Sequence, residues 1–325
     1  MNIQTVNFQG LFFLNVAGPT DFEMRFLRNN YDFSLLNLED YLYKKQIPKI
    51  ENHAKYDLLV LRFPLLSEKM PENSHQYGTR FSIILTQSNK KRLTSCYVNF
   101  FISKESVVVI HDGLLPQIDH IFTLCQKNLH NRTEYMGKGS AFLAYKIIDA
   151  LVDGCFPIIN EITATIDQID KDLADDKQSQ KTLEDISTTR RNLVIFHTMI
   201  KPSIPLLREL EEGKHKELNG LMQPFWSNAL DHLEKIWDRV EDNQELIEGI
   251  SLSNESLLSS RNNEIVKFLT IITSIAFPFV IINNLYSMNI TLPFAKNPNI
   301  VWILFGIVFI SATIIMAYFK HRKWL

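Results

Sequence analysis

Two long stretches without charged side chains, both near the C-terminal end, constrain this chain most strongly. No charged residue occurs from Phe268 to Ala295, and none between Lys296 and Lys320. The second stretch includes an apolar run of about 20 residues, Ile300–Phe319, which matches a hydrocarbon layer of ~30 Å at a helical rise of about 1.5 Å per residue. The sequence therefore predicts two membrane helices, over about 264–285 and 300–319.

The two predicted membrane helices differ in polarity. The first carries hydroxyl and amide side chains, among them Thr270, Thr273 and Asn284, whereas the second is almost wholly apolar. Polar groups without partners are costly in hydrocarbon, so a helix that faces only lipid gains nothing from them. We expect the first helix to line a path or face other helices, and the second to face lipid.

The charges that flank these helices predict their orientation. Arg261 and Lys267 precede the first helix, and Lys320, Arg322 and Lys323 follow the second. Positively charged flanks stay on the cytoplasmic side, so we expect a multi-pass protein of the inner (cell) membrane with both termini cytoplasmic. The first residues show no basic region followed by an apolar core, so no signal peptide is expected.

Composition and motifs exclude several classes of function. The formal net charge is −2 and no long basic run occurs, which argues against nucleic acid as a partner. The three cysteines are widely spaced and are expected to be buried thiols in a reducing cytosol. Neither a glycine-rich phosphate loop, a nucleophile elbow nor a metal-binding Cys/His spacing is found, so we expect neither an enzyme nor a bound cofactor.

The first 135 or so residues have the pattern of a mixed α/β domain. Predicted strands and helices alternate there, and a hairpin over 97–111 turns at residues 103–105. The predicted strands are Gly10–Val16, Tyr56–Phe63, Phe81–Thr86, Tyr97–Ile102 and Ser106–His111. The predicted helices are Thr20–Asn29 and Leu36–Lys45.

From Ser140 onward the pattern is helical. Apolar residues recur every three to four positions from Cys155, a second helix is predicted over Thr182–Leu210 with bends at its prolines, and a third begins near Gln223. Nothing forces that third helix to stop before Ile282, so we expect it to run from a cytoplasmic stalk into the membrane. The predicted fold class is α+β, with a cytoplasmic α/β domain at 1–138, a helical region and stalk at 139–262, and a transmembrane pore domain at 263–325.

Several motifs, in a fixed order, resemble one known family. Tyr286-Ser287-Met288-Asn289 closes the first membrane helix and resembles the Tyr-Gly-Met-Asn signature of the CorA family of magnesium transport proteins, within the CorA/ZntB superfamily. The approach from Asn263 to Pro278 and the basic ending from Lys320 are also similar to the family's pattern, as are segments 38–56 and 108–113. The resemblance covers nearly the whole chain.

The resemblance implies a fold, an activity and a set of site residues. Family members are funnel-shaped homopentamers in which five long helices enclose a pore for Mg²⁺, with a ring equivalent to Asn289 at the outer mouth. Neutral amides can hold a hydrated ion through its water weakly enough to release it. The pore-lining positions matched to the family are Asn263, Leu269, Thr270, Thr273, Phe277 and Asn284. Leu269 and Phe277 are expected to form apolar constrictions.

The resemblance also leaves alternatives open. Ser287 and Asn284 stand where family members have glycine, so a Zn²⁺ or Co²⁺ transporter of the same superfamily is one alternative. A non-conducting membrane scaffold or sensor with the same fold is another. Family members sense cytoplasmic Mg²⁺ through carboxylates between subunits, and the candidates for this regulatory site are Asp231, Asp238 and Asp242 on the stalk.

Overall fold

The computed structural model describes residues 2–31, 33–42, 46–67, 92–175, 180–215, 218, 221–288 and 299–322. By its internal contacts the chain divides into two compact units, Met1–Gly249 and Ile250–Leu325. The first unit contains a sheet and the helices around it, and the second contains two apolar helical segments. The division into three parts at 138 and 262 stays a prediction.

A mixed six-stranded sheet forms the centre of the first unit. Its order is β1-β2-β6-β5-β4-β3, and the β2–β6 pair is parallel while the other pairs are antiparallel. Every residue of β6 is buried, as expected of a strand covered on both faces. The strands are β1 Ile3–Phe8, β2 Leu11–Ala17, β3 Lys49–Asn52, β4 Asp57–Ser67, β5 Arg92–Ile102 and β6 Ser106–His111.

Helices cover the sheet and then continue to the end of the described chain. The first four are α1 Asp21–Tyr31, α2 Leu35–Leu42, α3 Pro116–Lys127 and α4 Leu129–Met136. The remaining six are α5 Ser140–Asp153, α6 Cys155–Ala174, α7 Gln180–Ile200, α8 Ser203–Glu211, α9 Gln223–Ser287 and α10 Asn299–His321. At 65 residues, α9 confirms the prediction of one uninterrupted helix that runs from about Gln223 into the first of the two apolar segments.

Each face of the sheet has its own core, because alternate residues of a strand point to opposite faces. On one face, Val60, Phe101 and Ile110 pack with residues of α1 and α2, including Leu27 and Leu38. The other face contacts α3, α5, α6 and α7. There Phe13 of β2 meets Phe122 of α3 edge to face, with ring centroids 5.2 Å apart.

The predicted elements agree with the structure except in three respects. The strands β1 and β3 and the helices α3 and α4 were not predicted, and the predicted strand Phe81–Thr86 lies outside the described residues. The prediction of one bent helix over 182–210 is wrong, because α7 ends at Ile200 and α8 begins at Ser203. Pro202 lacks the amide hydrogen that a continuing helix would need there.

Candidate ion-conducting site

Two helices of the structure are long and apolar enough to cross a membrane. One is Gln223–Leu285 of α9, whose C-terminal part is apolar, and the other is Trp302–His321 of α10. Little of either apolar stretch is buried inside the chain. Large apolar side chains on α10 are instead exposed, such as Trp302, Phe309 and Ile314. Apolar surface on this scale fits contact with lipid or with other membrane helices.

The apolar part of α9 has two different faces. One, here called the shielded face, is buried or partly buried around Ile271 and contains Ser274, Ile275, Pro278, Phe279 and Ile282. Successive helical residues are ~100° apart, so Thr273 lies about 160° round the helix from Ile271. On that opposite side the side chains are exposed. This open face of α9 includes Leu269, Thr273, Phe277, Asn284 and Ser287, together with the apolar Ala276 and Val280.

The open face contains most of the pore-lining residues predicted from the sequence. Leu269 and Phe277 are 59% and 64% exposed, and Asn284 is exposed as well. Thr270 lies at the border of the open face and is partly buried, and Asn263 is exposed one turn and a half before Leu269. The structure of one chain therefore leaves these positions free to face a path or a neighbouring copy.

Hydroxyl groups along the open face bond to their own helix. The Thr273 Oγ1 donates to the carbonyl of Leu269 at 2.9 Å and lies 3.1 Å from that of Thr270. At the border of the face, the Thr270 Oγ1 donates to the Val266 carbonyl at 2.7 Å. Back-bonding of this kind satisfies the hydroxyl proton within the helix itself.

The signature residues lie at the C-terminal end of α9. Tyr286 and Ser287 are its last helical residues, Met288 is 52% exposed, and Asn289 lies outside the described residues. Ser287 is helical, and its Oγ donates to the carbonyl of Asn283 at 2.8 Å. A side chain is therefore accommodated where the family signature has glycine, without the left-handed backbone for which glycine is favoured.

The three predicted regulatory aspartates are on the surface of the chain. Asp231, Asp238 and Asp242 are exposed on α9 within the first unit. In the part of the chain that the structure describes, another group has the spacing of a metal site. Its members are Asp149 and Asp153 of α5 and His232 of α9, with one ligand atom from each within 4.8 Å of the others.

Charge and hydrogen bonding define this Asp149–Asp153–His232 cluster. The His232 Nδ1 lies 2.9 Å from Asp153 Oδ1, and the Asn228 Nδ2 donates to Asp149 Oδ1 at 3.2 Å. Burial, together with the negative charge of Asp153, raises the pKa of Asp149 above its usual value. A bound cation would relieve both effects. The four-residue spacing of the two aspartates on one helix face is the only local sequence signal for this cluster, and it covers two of the three members.

Comparisons with known proteins agree with this architecture. The family model described as "CorA-like Mg2+ transporter protein" matches residues 8–321. A cobalt/magnesium transport protein CorA of Thermotoga maritima is 27% identical over 299 residues, covering 89% of this chain and 76% of the relative.

Solved structures show the same fold. The complete CorA magnesium transporter of Methanocaldococcus jannaschii superposes with a TM-score of 0.75 at 19% identity, covering 98% of this chain and 94% of that one. The ZntB cytoplasmic domain of Vibrio parahaemolyticus superposes with a TM-score of 0.55 at 12% identity, covering 79% and 90%. With a family model that spans nearly its whole length, the chain belongs to the CorA-like Mg²⁺ transporter family, whose members are divalent-cation transporters and not enzymes.

Proposed function

We propose that this protein is a homopentameric channel that carries divalent cations, with Mg²⁺ as the main ion, across the inner membrane into the cytoplasm. The observation that supports it most directly is the open face of α9, which presents Thr273, Asn284 and Ser287 away from the shielded face of the same helix. Two membrane helices cannot enclose an ion path by themselves, so several copies must contribute one such face each.

The selecting group in this proposal is a ring of Asn289 side chains at the outer end of α9. Mg²⁺ gives up its water reluctantly, so a channel that passes it quickly has to bind the hydrated ion. An amide oxygen accepts hydrogen bonds from that water without the strong attraction of a carboxylate. The helix α9 ends at Ser287, and Asn289 follows two residues later in the sequence.

Apolar constrictions deeper in the path are part of the same proposal. Leu269 and Phe277 are two turns apart on the open face of α9, and both side chains are well exposed in the single chain. Rings of such side chains can stop ion flow by excluding water when the path narrows. Gating then requires only a small change in the separation of the five helices.

Direction and orientation follow from charge. Arg261 and Lys267 precede the membrane part of α9, and Lys320 and Arg322 lie at or just after the end of α10, which supports a cytoplasmic position for both termini. An inside-negative membrane potential then drives cations inward at ~2.3 kcal/mol per charge per 100 mV.

Uptake into proteoliposomes tests the proposal. The parent protein should admit Mg²⁺, and Asn289→Ala should abolish uptake while the protein still assembles. Thr313→Ala, a change at an exposed position on α10 and outside the open face, is the matched control and should transport like the parent. Unchanged uptake by an assembled Asn289→Ala variant would remove Asn289 from the selecting role.

The same assay separates the alternatives. Ser287 in place of the signature glycine favours a changed ion preference, and a Zn²⁺ or Co²⁺ transporter would show faster uptake of those ions than of Mg²⁺ in competition. Uptake that appears only in Ser287→Gly would mean that the serine blocks the outer mouth of the path or changes its ion selectivity. If neither protein conducts any of the three ions, the chain is a membrane scaffold or sensor.

For regulation we favour the Asp149–Asp153–His232 cluster, since its ligand atoms converge within one chain. Asp231, Asp238 and Asp242 remain candidates for ligands shared between neighbouring subunits. A cation that binds the folded state raises the unfolding temperature. Asp153→Asn should remove a rise produced by Mg²⁺ or Co²⁺, while Asp231→Asn should keep it; the reverse result would assign the site to the exposed aspartates.

A further inference from the structure

The position of Thr273 on the open face of α9 sets it apart from the other hydroxyl residues. Leu269 precedes it by four residues and Phe277 follows it by four, so all three share one side of the helix. At about 1.5 Å per residue, Thr273 lies about 6 Å from each apolar position along the helix axis. On the open face itself it is the polar residue between the two proposed constrictions, whereas Thr270 lies at the border of that face and is partly buried.

The Thr273 hydroxyl already donates its proton to a hydrogen bond within its own helix. Its Oγ1 is 2.9 Å from the Leu269 carbonyl oxygen and 3.1 Å from that of Thr270, so a single O–H is directed back at the helix between two acceptors. A hydroxyl has one proton to donate and two lone pairs that accept. The part of this exposed group that is turned away from the helix therefore offers lone pairs only.

A hydrated divalent cation presents the complementary chemistry. The water molecules around such an ion turn their oxygens inward, so their protons point outward and need acceptors. Hydrogen bonds with charged groups are stronger than those between neutral groups, and first-shell water of a divalent cation carries part of that charge. An acceptor-only hydroxyl suits this shell and offers no donor to an anion.

Without Thr273 the open face of α9 from Leu269 to Phe277 would be apolar for about 12 Å. A hydrated ion crossing it would lose hydrogen bonds from its water shell and gain none, which is unfavourable in a narrow path. We propose that the Thr273 hydroxyls of the assembled subunits form an acceptor ring that holds the hydrated cation between the two apolar constrictions. This inference rests on the function proposed above.

The chain supplies a matched control for this assignment. Thr313 on α10 is also exposed, and its Oγ1 likewise donates to a carbonyl four residues earlier, that of Phe309, at 2.8 Å. It differs only in lying outside the open face, on the apolar helix expected to face lipid. A change at Thr313 therefore repeats the chemistry without touching the proposed path.

The test is Mg²⁺ uptake by the full-length protein in proteoliposomes. Thr273→Val keeps the shape of the side chain and removes the acceptor, and uptake should fall by about tenfold or more because each subunit loses a hydrogen bond to the shell. Thr273→Ser should restore uptake close to the parent rate, and Thr313→Val should leave it unchanged. Thr273→Ala replaces Thr273→Val if the valine variant does not assemble.

The outcomes separate this inference from the proposed function. If Asn289→Ala abolishes uptake while Thr273→Val transports at the parent rate, the acceptor ring is wrong and the channel proposal stands. If Thr273→Ser is as slow as Thr273→Val, the hydroxyl is not the active feature and the ring is also wrong. A parent protein that conducts no divalent cation overturns both.

Discussion

Polar side chains are used differently in the two units of this molecule. In the unit Met1–Gly249, buried polar groups bond across different elements, as Asn243 of α9 does to Thr163 of α6 at 2.8 Å. In the unit Ile250–Leu325, five hydroxyls bond instead to carbonyls of their own helix; these are Thr270, Thr273, Ser287, Ser311 and Thr313.

This difference separates polar groups that stabilise the packed fold from polar groups that remain available for transport. A bond across two elements is lost when the elements separate, so it contributes to the stability of the packed unit. A bond within one turn of a helix survives as long as the helix does and fixes nothing else. The first unit is therefore expected to respond to polar substitutions in stability, and the open face of α9 in transport.

The largest effect is expected where the first unit is most tightly packed. Trp226 is fully buried, its indole Nε1 donates to the Leu218 carbonyl at 3.0 Å, and its ring meets Tyr145 edge to face. Trp226→Ala should destabilise the protein by about 3–5 kcal/mol. Thermal unfolding in detergent measures this, and Trp226→Phe, which keeps most of the packing, should lose clearly less.

A buried polar group of the same unit should give an intermediate effect. Asn243 is 3% exposed and donates to the Thr163 Oγ1. Asn243→Ala removes this bond between α9 and α6 and leaves a small cavity, at a cost of about 1–3 kcal/mol. The exposed Asn262 of the same helix is the control, since Asn262→Ala should change stability by no more than ~0.5 kcal/mol. Equal effects would contradict the contrast between the units.

The first unit should also lose stability in mild acid. His111 is fully buried, its Nε2 lies 2.7 Å from Asn15 Oδ1, and the Gly113 amide donates to its Nδ1 at 3.2 Å. Burial lowers the pKa of His111 below the usual 6.5, although the negative charges of Asp119 and Asp112 oppose this shift. The unfolded chain therefore takes up the proton first as pH falls.

The sign of this dependence follows from that order. The stability contributed by neutral His111 is fully present above about pH 6.5. Below that pH it decreases by no more than ~1.4 kcal/mol per pH unit, which is the limit for one proton, until the lower pKa of the folded state is reached. Unfolding temperatures compared at pH 7.5 and 5.5 should show the loss. His111→Gln cannot titrate and should reduce it; an identical loss in the variant would exclude His111 as its source.

The smallest stability effect is expected on the open face of α9. Thr273→Val removes a hydroxyl whose bonds are confined to its own helix and keeps a β-branched side chain. The free energy of unfolding should therefore change by no more than ~0.5 kcal/mol. Paired with the tenfold loss of uptake expected above, this result would separate transport from stability at one position. A loss of stability as large as that of Asn243→Ala would remove the distinction.

Much of this organisation could be predicted from local sequence patterns. The long uninterrupted α9 follows from helical spacing and the absence of strong breakers before Pro278, and the two membrane helices follow from missing charges. Several residues of the open face were named from the sequence through the positions matched to the family, and their role in a pore stays a prediction. Ser287 was not predicted as a helical residue that bonds to Asn283, since the resemblance to a glycine position suggested a special backbone.

Features that depend on distant parts of the chain could not be predicted. The edge strands β1 and β3 are short, and their polar residues, such as Gln4 and Glu51, give no strong alternation. The Asp149–Asp153–His232 cluster joins residues about 80 positions apart, which local periodicity does not connect. The predicted regulatory aspartates shared one helix with His232, and only the packing of α5 beside it identified the other ligands.

The central claim is that the open face of α9 lines a water-filled path. The direct measurement is the reaction of single introduced cysteines with a membrane-impermeant, positively charged thiol reagent in the reconstituted protein. The native Cys96, Cys125 and Cys155 are buried, and burial raises the pKa of Cys125 to about 11, so their background reaction is low.

Thr273→Cys and Thr313→Cys form the decisive pair, because both positions are exposed in the single chain and bond to their own helices in the same way. If the open face lines the path, Thr273→Cys reacts, the reaction blocks Mg²⁺ uptake, and Thr313→Cys does not react. Reaction of Thr313→Cys with an inert Thr273→Cys would contradict the account and assign the path to α10.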